Sequence, residues 1–302
     1  MGLAALNHHD VMKHFPVSNG GPYTGESPVS MPQSGAGWIL NMLPQLEEQS
    51  LYDQFKAGGA FEGQFVVGAA LSPIGSGYGI GSSKNGIFVG KLLQTVLPVL
   101  ICPSDPTNER VRTTQRELEG VPVAVTNYKG VLDDTFLGQT FGGTVSNDDP
   151  GVKYPSGIYD EPPPVTLTGE TRDCHNNLRC RGFFFRQSFQ RPVKISSVID
   201  GTSHTFMIGE SLPDYDIHSA AFYANGDWCS CNLPLNNLLN VDPSTLNLQF
   251  WWEQQSFRSR HPGGAQFCLA DGSVRFVAEN IDNQTYRVAC TRNGGEPLPL
   301  DQ

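Results

Sequence analysis

The run Ala265-Gln266-Phe267-Cys268-Leu269-Ala270, then Asp271-Gly272, then Ser273-Val274-Arg275-Phe276-Val277, restricts the fold more than any other segment. Two stretches rich in strand formers flank an Asp-Gly pair, and a tight turn there needs positive φ at its central residues, which Asp and above all Gly accept. The pattern predicts an antiparallel hairpin near the end of the chain. A lone hairpin is marginal in water, so further strands or a helix must cover it.

The same grammar supplies partners upstream. Val121–Val131 is strand-like, and Gly182-Phe183-Phe184-Phe185 reads as a short buried strand. Val193–Val198 leads into a second Asp-Gly turn, Asp200-Gly201-Thr202-Ser203, and then into the strand-like Thr205-Phe206-Met207-Ile208-Gly209-Glu210. Helices come first. Gly2–Met12 has helix formers and apolar spacing, and it must stop before Phe15-Pro16, because a residue preceding proline is pushed out of the helical region. Trp38–Phe55 predicts a short helix, a bend at Leu43-Pro44 and a second helix, with Leu43/Leu46 and Leu51/Phe55 each on one face. Glycine and proline, 33 and 22 residues, require frequent turns, so the strands should be short and the connections long. The expected fold class is α+β: an N-terminal helix packed on an antiparallel sheet with long loop insertions, in one domain over residues 1–302. Two segments, about 133–182 and 220–250, read as variable insertions; the first is polar and contains Pro162-Pro163-Pro164.

A net charge of −10 and the lack of a basic run argue against nucleic acid or an anionic membrane surface as partner. Seven cysteines occur without zinc-finger spacing, which points to disulfides and an oxidising compartment. Cys174 and Cys180 are near one another, as are Cys229 and Cys231; the latter two are too close to bridge easily, so each is free to reach elsewhere, for example to Cys174 or Cys180. An odd count leaves at least one thiol over. No run approaches the ~20 apolar residues of a membrane span, and the N-terminus lacks the basic segment followed by an apolar one that marks a secretory signal. Cysteines that suit an exterior, without an export signal, lead to the expectation that an exported or anchoring segment lies upstream of the sequence.

Candidate chemistry is sparse. His261 and Asp271 are separated by one strand length, about 3.3 Å per residue, and so belong at opposite ends of it. A turn-forming role is expected for His261, Asp271, Gly272, Asp200 and Gly201, with His261 donating to a backbone carbonyl. The motifs of serine hydrolases, zinc proteases and phosphate-binding loops are missing, so no catalytic residue and no enzyme activity is expected. The acidic clusters Asp133-Asp134 and Asn147-Asp148-Asp149 have the oxygen chemistry of a calcium site but not the spacing of the helix–loop–helix calcium loop; solvated loops are the default, and no cofactor is expected. His8 and His9, adjacent on a helix, face different directions. Trp251 and Trp252, with Tyr154, Tyr159 and Trp228, have the flat faces that stack on sugar rings, against the usual preference of such residues for burial.

The order of these pieces resembles one family. His261, nine residues (PGGAQFCLA) and Asp271-Gly272 match the H-x9-DG ending of the planctomycete pilin-like proteins with a DUF1559 domain, also labelled a bacterial solute-binding family. Gly2-Leu3-Ala4 to Phe15-Pro16, Trp38 with Leu43-Pro44-Gln45-Leu46-Glu47, Cys102-Pro103-Ser104-Asp105-Pro106, Thr126-Asn127-Tyr128-Lys129-Gly130, and Ile195 through Asp200-Gly201 to Gly209-Glu210 follow in family order. The resemblance implies a type IV pilin-like or pseudopilin-like subunit, prepilin-type in origin, whose membrane helix precedes the sequence and whose head is extracellular or periplasmic. It further implies other pilin-like subunits, or further copies in a fibre, as partners, with inner-membrane anchoring before assembly and membrane contact only through that preceding helix. The alternative is an extracellular module that binds a solute or polysaccharide.

Overall fold

A computed structural model of the chain describes residues 1–19, 35–61, 83–116, 118–135, 137, 174, 178, 180–246 and 251–294. Asn147-Asp148-Asp149, Tyr154, Tyr159 and the triple proline lie outside these residues, as does the side chain of Trp252.

The helices form where the sequence places them. Helix α1, Gly2–Met12, closes with Lys13 in the left-handed region at φ 65, two residues ahead of Phe15-Pro16. The second unit divides at Leu43-Pro44 into α2 (Trp38–Met42), a 3-10 turn over Leu43–Leu46, and α3 (Gln49–Ala57). Proline sits in the first turn of the middle piece, where its missing N–H costs nothing. Leu43, Leu51 and Phe55 are buried. Two short strands, β1 (Ser83–Lys84) and β2 (Ile87–Phe88), pair ahead of α4 (Val89–Leu92), and β3 (Val111–Arg112) pairs with β4 (Val123–Ala124).

The main sheet contains β5 (Tyr128–Val131), β6 (Phe206–Glu210), β7 (Trp228–Cys229), β8 (Gly264–Leu269) and β9 (Val274–Ala278), in the spatial order β7-β5-β6-β8-β9. Two short helices, α5 (Trp251–Gln254) and α6 (Asn283–Val288), lie on either side of the hairpin in sequence. The hairpin β8/β9 keeps five paired positions, from Gly264↔Ala278 to Cys268↔Val274. Its turn differs in detail from expectation: among its residues only Gly272 has positive φ, at 84. Gly272 N–H donates to Leu269 O and Leu269 N–H to Ser273 O, so Ala270-Asp271 make an ordinary turn and Gly272 is the left-handed residue that restores register. Asp271 Oδ1 accepts from Ser273 N–H at 2.9 Å, which fixes that turn.

The structure makes three corrections. The sheet is mixed rather than antiparallel throughout, because β7 runs parallel to β5 (Gly130↔Trp228, Val131↔Cys229). The cause lies in the segment read as an irregular insertion: Ala220, Ala221, Phe222, Tyr223 and Ala224 are buried, and Asp227 is bound to Trp38, accepting its backbone N–H at 2.8 Å and its indole N–H at 2.6 Å. That anchor brings the chain back beside β5, where Gly130 and Leu132 donate to Asp227 O and Cys229 O. Gly182–Phe185 is buried as predicted but is no strand; Gly182 and Phe183 donate to Leu132 O and Val131 O, and Phe184 stacks on Trp38 with centroids 4.1 Å apart. Finally, the cysteines pair as Cys174–Cys180 and Cys231–Cys290, not between Cys229 or Cys231 and the first pair. Cys102, Cys229 and Cys268 stay free and buried.

Apolar side chains cover the sheet on both faces. One cluster joins α1, α2, α3 and Phe183–Phe185 to Met207, Ile208 and Cys268. The other joins Val131, Phe206, Phe257 and Phe267 to Tyr286 of α6. Burial alternates between clusters along β8, with Ala265, Phe267 and Leu269 on one face and Cys268 on the other, because successive strand side chains point to opposite faces. In β6 an irregularity between Phe206 and Ile208 puts both Met207 and Ile208 in the first cluster. Among the described residues no helix is long and apolar enough to cross a membrane.

Candidate functional site

At the C-terminal end of β6, Glu210 closes a strand whose five residues are all buried. Its carboxylate meets two side chains from distant segments. Oε1 accepts from Cys102 Sγ at 3.4 Å and lies 3.2 Å from His261 Nε2, while Oε2 accepts the Gln266 backbone N–H at 2.7 Å. The third edge of the triangle, Cys102 Sγ to His261 Nε2, is 3.7 Å. Cys102 and Glu210 are only 4 % and 3 % exposed, whereas the His261 side chain is 29 % exposed and faces outward.

Local structure fixes each corner. The apolar run to Ile101 ends in a turn in which Asp105 N–H donates to Cys102 O. Asn127 ties that turn to the sheet: its Oδ1 accepts from Cys102 N–H at 3.1 Å, and its Nδ2 donates to Asp105 Oδ2 at 2.8 Å and to Ser211 O at 3.1 Å. Burial pushes the Asp105 carboxyl up, but the Asn127 amide, Thr107 and Arg110 more than offset it, and the group stays below the usual carboxylate range. His261 opens the Pro262-Gly263-Gly264 turn, where Gly263 has φ 78, and its own N–H donates to Ser259 Oγ at 3.1 Å. His261 Nδ1 lies 3.4 Å from Ser104 Oγ. The side chain therefore pairs with Glu210, Cys102 and Ser104 rather than with a backbone carbonyl.

Burial raises the Cys102 thiol, and the neighbouring Glu210 carboxylate adds to the shift, so Cys102 is a neutral thiol and not an activated nucleophile. Burial likewise pushes the Tyr128 phenol far up, helped by Cys102 and Glu210 beside it. Cys268, the second thiol in this region, is pushed by burial up to about 11. The cluster opens on a cleft of about 370 Å³ whose lining includes Tyr128, Glu210, His261 and Cys268, with Val99 and Val274 at its edge. Helix α1 starts there. A Cβ on Gly2 would stand 2.3 Å from Cys268 Sγ, so glycine is what lets the helix sit against β8.

This chain belongs to the DUF1559 family. The family model, described as a protein of unknown function (DUF1559), matches residues 1–284. No curated protein and no solved structure matches the chain. In this DUF1559 protein three of the sequence blocks that carried the resemblance, those holding Cys102, Asn127 and Glu210, meet His261 at one place.

The remaining sequence candidates lie elsewhere. Asp271 is at the far end of β8 from His261, as the strand length required. It meets the other Asp-Gly turn instead: Asp271 N–H donates to Thr202 O, Gly201 has φ 98, and Asp200 Oδ2 accepts from Gly294 N–H at 2.6 Å. Trp251 is half-buried, its ring 5.3 Å from that of His218, and Trp228 is fully buried with its indole N–H on Ala224 O. Asp133 and Asp134 are buried rather than solvated: Arg181 reaches both, and Arg287 reaches Asp134 Oδ2 at 3.1 Å. Burial pushes Asp133 up, whereas the two guanidiniums outweigh burial at Asp134 and hold it low. Cys174 and Cys180 approach Asp133, but their sulfurs are joined to each other. No spacing rule links Cys102, Glu210 and His261, which are 108 and 51 residues apart along the chain; the signal lay only in the presence of all three within family blocks.

Proposed function

We propose that this DUF1559 chain is the outward-facing, non-enzymatic head of a pilin-like surface subunit, with further copies or related subunits as its partners. One observation supports the reading: an edge strand with exposed apolar side chains, next to a helix that exposes more of them. Edge strand β9 has no further strand beside it among the described residues, and it exposes Val274 and Phe276 at 67 % and 46 %. Val274 shares the cleft with Met1 and Gly2 at the start of α1, a helix that itself exposes Leu3 and Val11 at 70 % each. An unpaired edge with apolar side chains is a surface that monomeric proteins normally blunt. A net charge of −10 and two disulfides accord with an exterior location. A neutral, buried Cys102 accords with a role other than nucleophilic catalysis.

The test is assembly. The chain is expressed behind a prepilin-type leader and apolar helix, together with a prepilin peptidase and the assembly machinery, and filaments are sought by electron microscopy. Filaments that vanish in Phe276→Lys support the reading; a protein that stays dispersed under those conditions refutes it.

A further inference from the structure

We propose that Cys102, Glu210 and His261 form a three-ligand Zn2+ site whose open fourth position faces the cleft. The three donor atoms, Sγ, Oε1 and Nε2, all lie within 4.8 Å of one another, and their separations are 3.4, 3.7 and 3.2 Å. Zinc sits about 2.3 Å from a thiolate sulfur and about 2.0–2.1 Å from imidazole nitrogen and carboxylate oxygen, so tetrahedral angles place S···O at about 3.5 Å, S···N at about 3.6 Å and N···O at about 3.3 Å. The triangle agrees with that geometry to about 0.1 Å on each edge.

The donor set selects the metal. A thiolate, an imidazole and one carboxylate oxygen suit a borderline ion such as zinc, whereas calcium and magnesium require a shell of oxygens. Surrounding groups hold each ligand as metal sites need. Gln266 N–H occupies Glu210 Oε2 and leaves Oε1 as the single donor. Ser104 Oγ lies 3.4 Å from His261 Nδ1, where it can accept that ring proton in the tautomer that turns the Nε2 lone pair toward the cluster. Asn127 holds the Cys102 backbone, and the two buried ligands face away from solvent. Binding forms Zn–S, Zn–O and Zn–N bonds and releases the thiol proton to water. The fourth ligand enters from the half-exposed side of His261, where the cleft of about 370 Å³ admits water or a donor group of a small solute. Structural zinc sites close their fourth position with protein; among the described residues no fourth ligand joins this one. The site is independent of whether the subunit assembles.

The test uses the whole chain, stripped with a chelator and then titrated with Zn2+ and, in parallel, with Co2+ as a spectroscopic stand-in. One metal per chain is expected, with a thiolate-to-cobalt charge-transfer band, and Ca2+ in excess should not compete. His261→Gln, at a half-exposed position that folding tolerates, should weaken Zn2+ binding at least 100-fold, beyond the 10–100-fold typical of supporting residues. Cys102→Ser should remove the charge-transfer band. Cys268→Ser, at the other cleft thiol, should leave both unchanged. No stoichiometric binding, a cobalt complex without the thiolate band, or equal affinity in His261→Gln would each overturn the site and leave a plain hydrogen-bonded triad.

Discussion

The two disulfides should contribute unequally to stability, and the structure sets the ratio. Cys174 and Cys180 are 6 residues apart, whereas Cys231 and Cys290 are 59 apart. A crosslink restricts the unfolded chain in proportion to the logarithm of the loop it closes, which gives about 2.4 kcal/mol for the short loop and about 4.3 kcal/mol for the long one. Paired Cys→Ala changes avoid stray thiols. With a urea dependence of about 3 kcal/mol per M, Cys231→Ala/Cys290→Ala should lower the unfolding midpoint by about 1.4 M, and Cys174→Ala/Cys180→Ala by about 0.8 M. A second readout comes from position. The long crosslink joins the end of α6 to the residue two beyond Trp228–Cys229, and β7 is held in the sheet by only two paired positions. Hydrogen exchange should therefore quicken at Gly130 and Leu132, whose N–H groups donate to Asp227 O and Cys229 O, in the long-loop variant only. Equal midpoint shifts, or a larger loss from the short loop, would refute the loop-closure reasoning. Unchanged exchange at Leu132 would refute the role assigned to the Cys231 end.

Other outcomes follow from buried charge. Lys129 and Asp216 are both fully buried and 2.5 Å apart, so Lys129→Met should cost about 3–5 kcal/mol in urea unfolding by leaving the carboxylate unpaired, and Lys129→Met/Asp216→Asn should regain more than half of it. Asp227 is fully buried, and burial raises its carboxyl well above the ordinary value despite the Trp38 N–H and the Lys129 charge. The folded state thus keeps this proton where the unfolded chain has lost it, so stability falls as pH rises from about 4 through the raised folded value. Asp227→Asn, compared with the parent by urea unfolding from pH 4.5 to 8, should show a difference that shifts in favour of the variant with rising pH; a flat difference would count against it.

Helix boundaries and the hairpin were legible because they depend on local chemistry. Pro16 and Pro44 restrict the backbone wherever they stand, and Asp271-Gly272 between two β-rich runs specifies a turn without reference to the rest of the chain. The parallel edge strand was not legible. Trp228-Cys229 pairs beside Gly130-Val131 because Asp227 binds Trp38, 189 residues earlier, and no pattern within residues 220–250 encodes that. Burial of Asp133-Asp134 was hidden for the same reason: two adjacent aspartates look solvated until Arg181 and Arg287 are placed against them. At the candidate site, the strand length between His261 and Asp271 correctly kept the two apart, but nothing in the spacing indicated the partners of His261, Cys102 and Glu210, which tertiary packing alone brings to it.

The order β7-β5-β6-β8-β9 also has a consequence for how the molecule matures. Strand β6 has β5 on one side and β8 on the other, so a chain growing from its N-terminus carries half of its central layer unpartnered until residue 269 has emerged. The Cys102–Glu210 corner lacks its third member until residue 261, and Cys231 waits for a partner located 59 residues later. Such long-range closure makes folding slow and keeps sticky edges uncovered during synthesis. Truncation by a few dozen residues at the far end would therefore leave a long polypeptide with no finished sheet.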